Sequence, residues 1–413
     1  MPERILRKTS PHKQRRSRRP FAVSCLLLAL VAGAVCGYAA LKPLPKLQVT
    51  TQPIAVAASQ AQPITWPGYG QSAVATDTSA ILATNGQQTP LATASLAKIM
   101  TALAVLQRKP LQPGQAGPNL TLTQADVDNY NAYASQDGSV VFVQDGEVLT
   151  EYQALQALLL PSANNIADSL ADWAFGSVDA YLAYANDYAS KQGWDTLHFA
   201  DASGFNSATV GSATDLTKLA QQAIANPVIA SIVSQNSAEI PVAGTVYNVN
   251  TILGDGGVIG IKTGNNDADL GAFMFAAKQT VGGQPLTLVG AVMGAANLRS
   301  ALLDTLPVIS STAANFKPVT LATAGRIVGS VTTPWQSATI IATKPLAGLT
   351  WNGQAQSANI KLQPLRLPLK KGDLAGTLSM HDATGKTSFV ELRIAHDIPN
   401  PSFGWRLRHV FSE

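Results

Sequence analysis

One short segment limits what this chain can fold into, because it places a lysine in an otherwise apolar helix. The apolar residues of this segment recur with a helical period: Leu96, Ile99, Met100, Leu103 and Leu106. A helix this apolar is expected at the centre of a folded domain. Burial of Lys98 there would cost free energy unless its amine has a function.

Ser95 and Lys98 form the first candidate catalytic pair. They are three residues apart, so on a helix they lie on one face, one turn apart. A serine hydroxyl is a poor nucleophile unless an adjacent base removes its proton. The pair therefore predicts a nucleophilic serine with a lysine base. Ser-x-x-Lys is a weak motif by itself, since it recurs at Ser10–Lys13 in the basic tail.

Composition favours a globular body outside the nucleic-acid-binding classes. The chain has 413 residues, which predicts two folded domains and an appendage. Hydrophobic residues make up 46%, which argues against global disorder. The net charge of +4 comes from residues 1–20, which hold eight Lys/Arg and one acid; the rest has 21 basic and 24 acidic residues. The body therefore has no basic footprint for nucleic acid.

An uncharged stretch, residues 21–41, follows the basic tail, residues 1–20. It is long enough to span a bilayer, and the positive-inside rule places the tail in the cytoplasm and the body outside. We favour an uncleaved single-pass anchor; Ala32-Gly33-Ala34 offers the alternative of a cleaved signal and secretion. Both cysteines, Cys25 and Cys36, lie here, so the body has no disulfide or Cys-ligated metal. Residues 42–63 are expected to be a spacer.

The body divides into a helix-rich part between strands and a β-only part. A hairpin is predicted over residues 72–84, helices dominate residues 100–250, and strands are predicted over 258–263, 272–277 and 286–293. Beyond Lys317 only short strands are predicted: residues 326–331, 338–342, 360–362, 365–369, 374–378 and 389–394. We therefore predict a domain over 64–317, a small β domain over 318–396 and a frayed tail over 397–413.

Two further motifs follow the Ser95 helix in the chain. Ser162-Ala163-Asn164 is predicted on a tight loop between two helices, and Lys262-Thr263-Gly264 at the end of a strand. Ser-x-Asn also occurs at Ser234 and Ser357, whereas Lys-Thr-Gly occurs once. In this order, the three motifs resemble the signature of the penicillin-recognising serine enzymes.

Within that superfamily the chain is most similar to the low-molecular-mass serine D-alanyl-D-alanine carboxypeptidases, over roughly residues 64–396. The stretches that carry the resemblance include residues 158–164, 201–205, 212–216, 260–264 and 370–378. It implies an α/β fold: an antiparallel sheet with an all-helical subdomain, followed by a small all-β domain. It also implies removal of the terminal D-alanine from peptidoglycan stem peptides, with β-lactams as inhibitors and no cofactor or metal.

The resemblance implies a role for each catalytic motif residue. Ser95 would attack the carbonyl between two D-alanines, and Lys98 would act as base. Burial and the Lys262 cation would lower the pKa of Lys98. Ser162 would relay a proton to the leaving amine, and Asn164 would hold the substrate amide and orient Lys98.

The resemblance also implies a substrate-binding set. Backbone N–H groups of Ser95 and Asn265 would form the oxyanion hole. Lys262, Thr263 and Gly264 would line the substrate, with Thr263 on its terminal carboxylate. Arg299 is either a carboxylate-binding arginine or a surface arginine.

One segment departs from the family pattern. After Lys-Thr-Gly the family usually continues through Ala-Gly, whereas this chain has residues 265–271 with two acids, Asp267 and Asp269. These acids would alter which side chain of the stem peptide is accepted, without changing the reaction.

Alternative functions stay open at this stage. A DD-endopeptidase that cuts peptidoglycan cross-links would use the same motifs. A class A β-lactamase would need a loop Glu-x-x-x-Asn, and residues 165–238 contain no Glu. An inactive relative that binds the wall or partner proteins is a further alternative.

Overall fold

The computed structural model describes residues 19–265 and 271–411, with side chains from Phe21 onward. Most of the basic tail lies outside these ranges. So do Asp267 and Asp269, and the prediction that they alter side-chain preference concerns residues outside the described part.

Helices occupy most of residues 98–233, as predicted, but residues 237–247, also in the range where helices were expected to dominate, contain two paired strands. The helices are α1 (Arg19–Leu41), α2 (Lys98–Arg108), α3 (Gln124–Ala134), α4 (Glu151–Leu159), α5 (Asn164–Phe175), α6 (Val178–Lys191), α7 (Ala213–Ala225), α8 (Pro227–Val233), α9 (Leu298–Ala314) and α10 (Phe403–Arg408). Local sequence explains several boundaries. Thr150 caps α4 in a capping box, with its Oγ1 accepting from the Gln153 N–H at 3.2 Å.

Strands lie on both sides of the helical region, and three short ones lie within it. They are β1 (Gln48–Thr51), β2 (Ala55–Val56), β3 (Gln71–Thr76), β4 (Ala83–Asn85), β5 (Leu91–Ala92), β6 (Asn119–Thr121), β7 (Val148–Thr150), β8 (Val210–Gly211), β9 (Ser237–Ile240), β10 (Gly244–Tyr247), β11 (Val258–Gly264), β12 (Gly271–Val281), β13 (Gln284–Ala295), β14 (Phe316–Ala322), β15 (Ile327–Thr332), β16 (Ser337–Ala342), β17 (Leu346–Trp351), β18 (Gln356–Ser357), β19 (Asn359–Leu362), β20 (Leu374–His381) and β21 (Thr387–Ile394).

A five-stranded antiparallel sheet forms the centre of the molecule, in the order β11-β12-β13-β3-β4. Its side chains alternate between two faces. On one face Met274 shares a core with Leu103 of α2. On the other face Phe273 shares a core with Leu302 of α9. The sheet with its helical subdomain confirms the predicted fold class, and β11 lies at one sheet edge.

The C-terminal part is built from strands, as predicted. A six-stranded sheet has the order β1-β15-β16-β21-β20-β19 and encloses its own hydrophobic core. A separate pair, β14 and β17, packs against the central sheet, where Phe316 and Trp351 share a core with Phe275. The division of the chain at residues 317 and 318 remains a proposal, since β14 runs across it.

The prediction of a spacer over residues 42–63 was wrong. β1 pairs antiparallel with β15, with Gln48 opposite Thr332 and Thr51 opposite Gly329, and β2 pairs with β18. Ile54, between these strands, is buried. The residues Val49-Thr50-Thr51 favour a strand, and they cover a sheet edge whose backbone groups would otherwise lack hydrogen bonds.

Two predictions near the C-terminus were also wrong. Residues 365–369 form no strand; Pro364 and Pro368 lack the N–H that a sheet ladder needs. Residues 403–408 form α10 rather than a frayed end. The Arg406 guanidinium donates to the Ala40 carbonyl at 2.8 Å and so caps the end of α1.

The N-terminal helix α1 is long and apolar over Phe21–Leu41. Its length and composition are sufficient to cross a membrane, which is consistent with either an anchor or a signal sequence.

Candidate active site

Ser95 occupies a tight turn at the entrance to α2. The turn, Ala94–Ala97, is a 3₁₀ helix rather than the first turn of an α-helix, a small correction to the predicted element. Ser95 is partly exposed, whereas Ala94 and Leu96 on either side are buried. The turn therefore presents the Ser95 hydroxyl at a surface while its neighbours anchor it in the core.

Gly204 fixes the position of this turn. A Cβ at Gly204 would lie 1.9 Å from the Ala94 carbonyl oxygen, and its φ of +76° is in the left-handed region. A side chain is therefore excluded where the chain around residue 204 crosses the Ser95 turn.

Lys98 is fully buried on α2 and makes three short polar contacts. Its Nζ lies 2.8 Å from Ser95 Oγ, 2.7 Å from Asn164 Oδ1 and 2.9 Å from the Ser203 carbonyl oxygen. The predicted serine–lysine pair is thus joined by the asparagine of the second motif. The Ser203 carbonyl is a third neighbour that sequence reasoning missed.

The second motif lies where predicted, on the loop between α4 and α5. Asn164 begins α5, and its backbone N–H donates to the Ser139 carbonyl at 2.7 Å. Ser162 has a φ of +69°, an uncommon conformation for a residue with a Cβ. Its Oγ is buried and has no hydrogen-bond partner among the described residues. Such an unpaired hydroxyl is free to bond a substrate or a proton carrier.

The third motif lines the opposite side of the turn. Lys262, Thr263 and Gly264 end the edge strand β11, and a Cβ at Gly264 would lie 3.1 Å from the Thr93 carbonyl oxygen. This close approach places the strand end directly against the Ser95 turn. The Lys262 Nζ is buried and donates to the Thr263 carbonyl at 3.1 Å.

Burial shifts the pKa of both lysines. It holds the pKa of Lys98 well below its usual range, and the nearby Lys262 cation acts in the same direction. The carboxylates of Asp201 and Asp168 oppose this shift. Burial also lowers the pKa of Lys262 to about 7. The downward shift of the Lys98 pKa favours the neutral amine, the form that a base requires.

Asp201 organises the loop that carries the Ser203 carbonyl. Its carboxylate accepts from Ser203 Oγ at 2.7 Å and from the N–H groups of Gly204 and Phe205 at 3.0 and 2.8 Å. These bonds hold the turn at residues 201–205 in place. The pattern Asp-x-Ser-Gly gave a signal for the turn but none for its contact with Lys98.

Two predicted substrate-binding residues, Asn265 and Arg299, are exposed. Asn265 is exposed and directly follows β11; residues 266–270 lie outside the described ranges. Arg299 is exposed in the first turn of α9, and the structure shows it in no hydrogen bond or ion pair with any described residue. Hydrogen bonds and close approaches thus unite Ser95, Lys98, Asn164 and the β11 end, and none of those described involves Arg299.

The comparisons with known proteins agree with this geometry. Residues 60–297 match the profile of the D-alanyl-D-alanine carboxypeptidase family. A D-alanyl-D-alanine carboxypeptidase of Streptomyces sp. strain K15 is 28% identical over 246 residues, which cover 55% of this chain and 81% of the relative. The carboxypeptidase DacB2 of Mycobacterium tuberculosis is 31% identical over 219 residues, which cover 51% and 70%.

Solved structures extend the likeness. The Streptomyces K15 DD-transpeptidase is 25% identical, with a TM-score of 0.51, over 62% of this chain and 98% of that structure. Penicillin-binding protein 5 from Haemophilus influenzae has a TM-score of 0.57 at 19% identity over 83% of this chain and all of that structure, a likeness of fold. With the family profile matched over more than half of its length, the chain belongs to the D-alanyl-D-alanine carboxypeptidases, a family of penicillin-recognising serine enzymes.

Proposed function

We propose that Ser95 is the nucleophile of this serine D-alanyl-D-alanine carboxypeptidase and that Lys98 is its base. The three contacts of Lys98 Nζ carry the proposal. A neutral amine has two N–H donors and one lone pair. Asn164 Oδ1 and the Ser203 carbonyl accept hydrogen bonds only, so they take both donors. The lone pair is left facing the Ser95 hydroxyl, in the orientation that proton removal needs.

The reaction follows from these roles. Ser95 Oγ attacks the carbonyl between the two D-alanines of a stem peptide while its proton passes to Lys98. The oxyanion is held by the N–H groups of Ser95 and Asn265, each contributing roughly 3–4 kcal/mol. Ser162 passes the proton from Lys98 to the departing amine, so D-alanine leaves and a Ser95 ester remains. Water, deprotonated by Lys98, then hydrolyses the ester.

The end of β11 supplies the substrate-binding surface in this proposal. As an edge strand it offers backbone groups to an extended peptide. Thr263 would bind the terminal carboxylate, beside the Lys262 amine and the close approach at Gly264. Arg299 would add a second carboxylate contact if the substrate brings it inward; its alternative role is that of a surface arginine.

Fluorescent penicillin tests the nucleophile directly. β-Lactams would acylate Ser95, so the wild-type protein should be labelled and release D-alanine from a peptide ending in D-Ala-D-Ala. Ser95→Ala should do neither. The matched control is Ser234→Ala, an exposed serine in another Ser-x-Asn sequence, which should label normally. Labelling of Ser95→Ala, or none of the wild type, would refute the assignment.

The alternative functions differ from a carboxypeptidase in the acceptor of the acyl group or in the bond that is cleaved. The related Streptomyces K15 structure bears the name DD-transpeptidase, so an amine acceptor could replace water in the second step. A DD-endopeptidase would instead split cross-linked dimers. Incubation with a D-Ala-D-Ala peptide, a glycine acceptor and purified dimers separates free D-alanine, transfer product and monomers. Rapid turnover of the penicilloyl-enzyme would favour a β-lactamase instead.

We also propose that α1 stays attached and anchors the enzyme in the cell membrane, with the site outside. The contacts between chain ends support retention of α1: Arg406 caps it at Ala40, and Lys42 Nζ donates to the Val410 carbonyl at 3.2 Å. Mass spectrometry of protein from the membrane fraction should find peptides from residues 21–41. A mature chain that begins after Ala34 would instead establish a cleaved signal.

A further inference from the structure

A tyrosine–aspartate pair outside the three motifs lies beside the active site. Tyr133, in the last turn of α3, donates from its hydroxyl to Asp168 Oδ2 on α5 at 2.9 Å. The tyrosine is half-buried, and the aspartate is largely enclosed between the two helices. Burial raises the pKa of the Tyr133 hydroxyl above its usual range, so this group keeps its proton and remains a donor.

Asp168 and Tyr133 are each linked to one of the two elements that carry the hydrogen-bond acceptors of Lys98. Asp168 lies four residues after Asn164, and therefore one turn along the same face of α5. The Tyr133 ring meets the Phe205 ring edge-on, with centroids 5.3 Å apart. Phe205 follows Ser203 closely on the loop whose carbonyl contacts Lys98. One pair of side chains thus bridges the two elements that hold the amine.

We propose that Tyr133 and Asp168 are positioning residues of the carboxypeptidase site: they hold Asn164 and the Ser203 loop around Lys98 and set a carboxylate near its amine. This inference rests on the proposed roles of Ser95 and Lys98. As the Ser95 proton moves to Lys98, an ammonium forms in a buried place. A nearby carboxylate stabilises that cation, whereas Lys262 on β11 opposes it.

Charged groups on each neighbouring element enter the pH dependence. Lys262 of β11 lowers the pKa of Lys98, whereas Asp201 of the loop and Asp168 of α5 raise it. Burial raises the pKa of Asp168 to about 6. Asp201 and Asp172 act in the same direction, whereas Tyr133 and Lys98 lower this pKa. The Asp168 carboxyl is therefore mostly ionised where the enzyme would work at neutral pH.

The test measures the acylation rate by fluorescent penicillin from about pH 5 to about pH 9, with the full-length protein. Asp168→Asn keeps an acceptor for Tyr133 but removes the charge. Lys98 then becomes a weaker base, so the plateau rate should fall several-fold. Above about pH 6, where Asp168 is ionised in the wild type, the acid limb should move to lower pH, which raises the rate on that part of the limb, relative to the plateau, roughly two- to three-fold.

Matched variants separate charge from packing. Asp172→Asn removes an exposed carboxylate one turn further along α5 and should change the profile much less than Asp168→Asn, since Asp172 affects Lys98 only through Asp168. Tyr133→Phe keeps the ring against Phe205 but removes the hydroxyl, so its effect should have the same direction and be smaller. The double variant should change little beyond Asp168→Asn, since both act through one carboxylate.

The outcomes distinguish this inference from the proposed function. Suppose that the wild type is labelled and that Ser95→Ala abolishes the labelling. If the pH profile then has no acid limb, or Asp168→Asn leaves that limb unmoved, the positioning role alone is overturned. The same holds for a plateau that falls only as far as the folded fraction falls, or for an equal shift in Asp172→Asn. Failure of the wild type to label would overturn the proposed function itself.

Discussion

The Lys98 amine and the Asn164 side-chain oxygen lie 2.7 Å apart, although 66 positions separate them in the chain. This contact ties the first helix of the site to the second motif. In the proposed mechanism Asn164 takes one hydrogen of the neutral Lys98 amine and the Ser203 carbonyl takes the other, so the lone pair is left for Ser95. A single oxygen therefore influences both where the amine points and whether it is protonated.

Asn164→Asp should abolish this balance without changing the size of the side chain. A carboxylate at this position would favour the ammonium form of Lys98 and raise its pKa. The acylation rate at pH 7 should then fall by roughly 10²- to 10⁴-fold, the usual contribution of a general base. Stopped-flow labelling with fluorescent penicillin measures it. Asn131→Asp, exposed on α3, is the control; a near-normal rate for Asn164→Asp would contradict the proposed base.

Ser162→Ala should separate activity from stability. The Ser162 hydroxyl is buried with no hydrogen-bond partner in the described structure, so its removal should leave the free energy of unfolding unchanged or raise it by about 1 kcal/mol. D-alanine release should fall sharply because the proton relay is lost. Thermal denaturation and a D-alanine assay test the two halves. A destabilised but active variant would show that the hydroxyl serves folding rather than the relay.

Gly204→Ala should disable the site through the backbone alone. Its Cβ would collide with the Ala94 carbonyl oxygen, at 1.9 Å, and displace the turn that carries Ser95. Gly176→Ala provides the match: that glycine also has a positive φ, +87°, but a Cβ there meets nothing within 4 Å. We expect both variants to lose about 1–2 kcal/mol from the left-handed conformation. Only Gly204→Ala should lose penicillin labelling. If both variants were labelled equally, the collision at the Ser95 turn would not disable the site.

Glu151→Gln should stabilise the protein at neutral pH and above. Both Glu151 carboxyl oxygens are buried and have no partner among the described residues, and burial raises its pKa from 4.5 to about 7. The folded state keeps this proton while the unfolded chain loses it, so stability falls as pH rises from about 4.5 to 7. The upper limit is about 3 kcal/mol.

Denaturant titrations of both proteins at several pH values test this prediction. The two curves should coincide near pH 4.5 and separate towards pH 7, with Glu151→Gln the more stable protein. Glu239→Gln, an exposed residue, should track the wild type throughout. A constant offset between Glu151→Gln and wild type would point to packing rather than ionisation.

The sequence predicted those parts of the site that local pattern determines. The period of α2 and the strand at Lys262 both follow from neighbouring residues, and the structure has them. The Ser203 carbonyl and the Tyr133–Asp168 bond arise from contacts between distant segments. A backbone carbonyl leaves no trace in residue identity, so no motif could reveal its contact with Lys98.

The errors at the chain ends have a related cause. Residues 42–63 and 403–411 are too short or too irregular to be stable by themselves, and composition alone suggests a spacer and a frayed end. Each gains its structure from a distant partner, β15 for the first and the end of α1 for the second. Such pairing is invisible to any window of neighbouring residues.

The pairing of β1 with β15 has a consequence for making the protein. A shortened protein that starts near residue 60, where the family match begins, would lack β1. The six-stranded C-terminal sheet has this strand at its edge. Its β15 edge would be open to neighbouring molecules, and association through that edge would follow. Soluble versions that remove α1 should therefore start ahead of Gln48. During synthesis, β1 must wait until residues 327–332 have been made before it finds its partner.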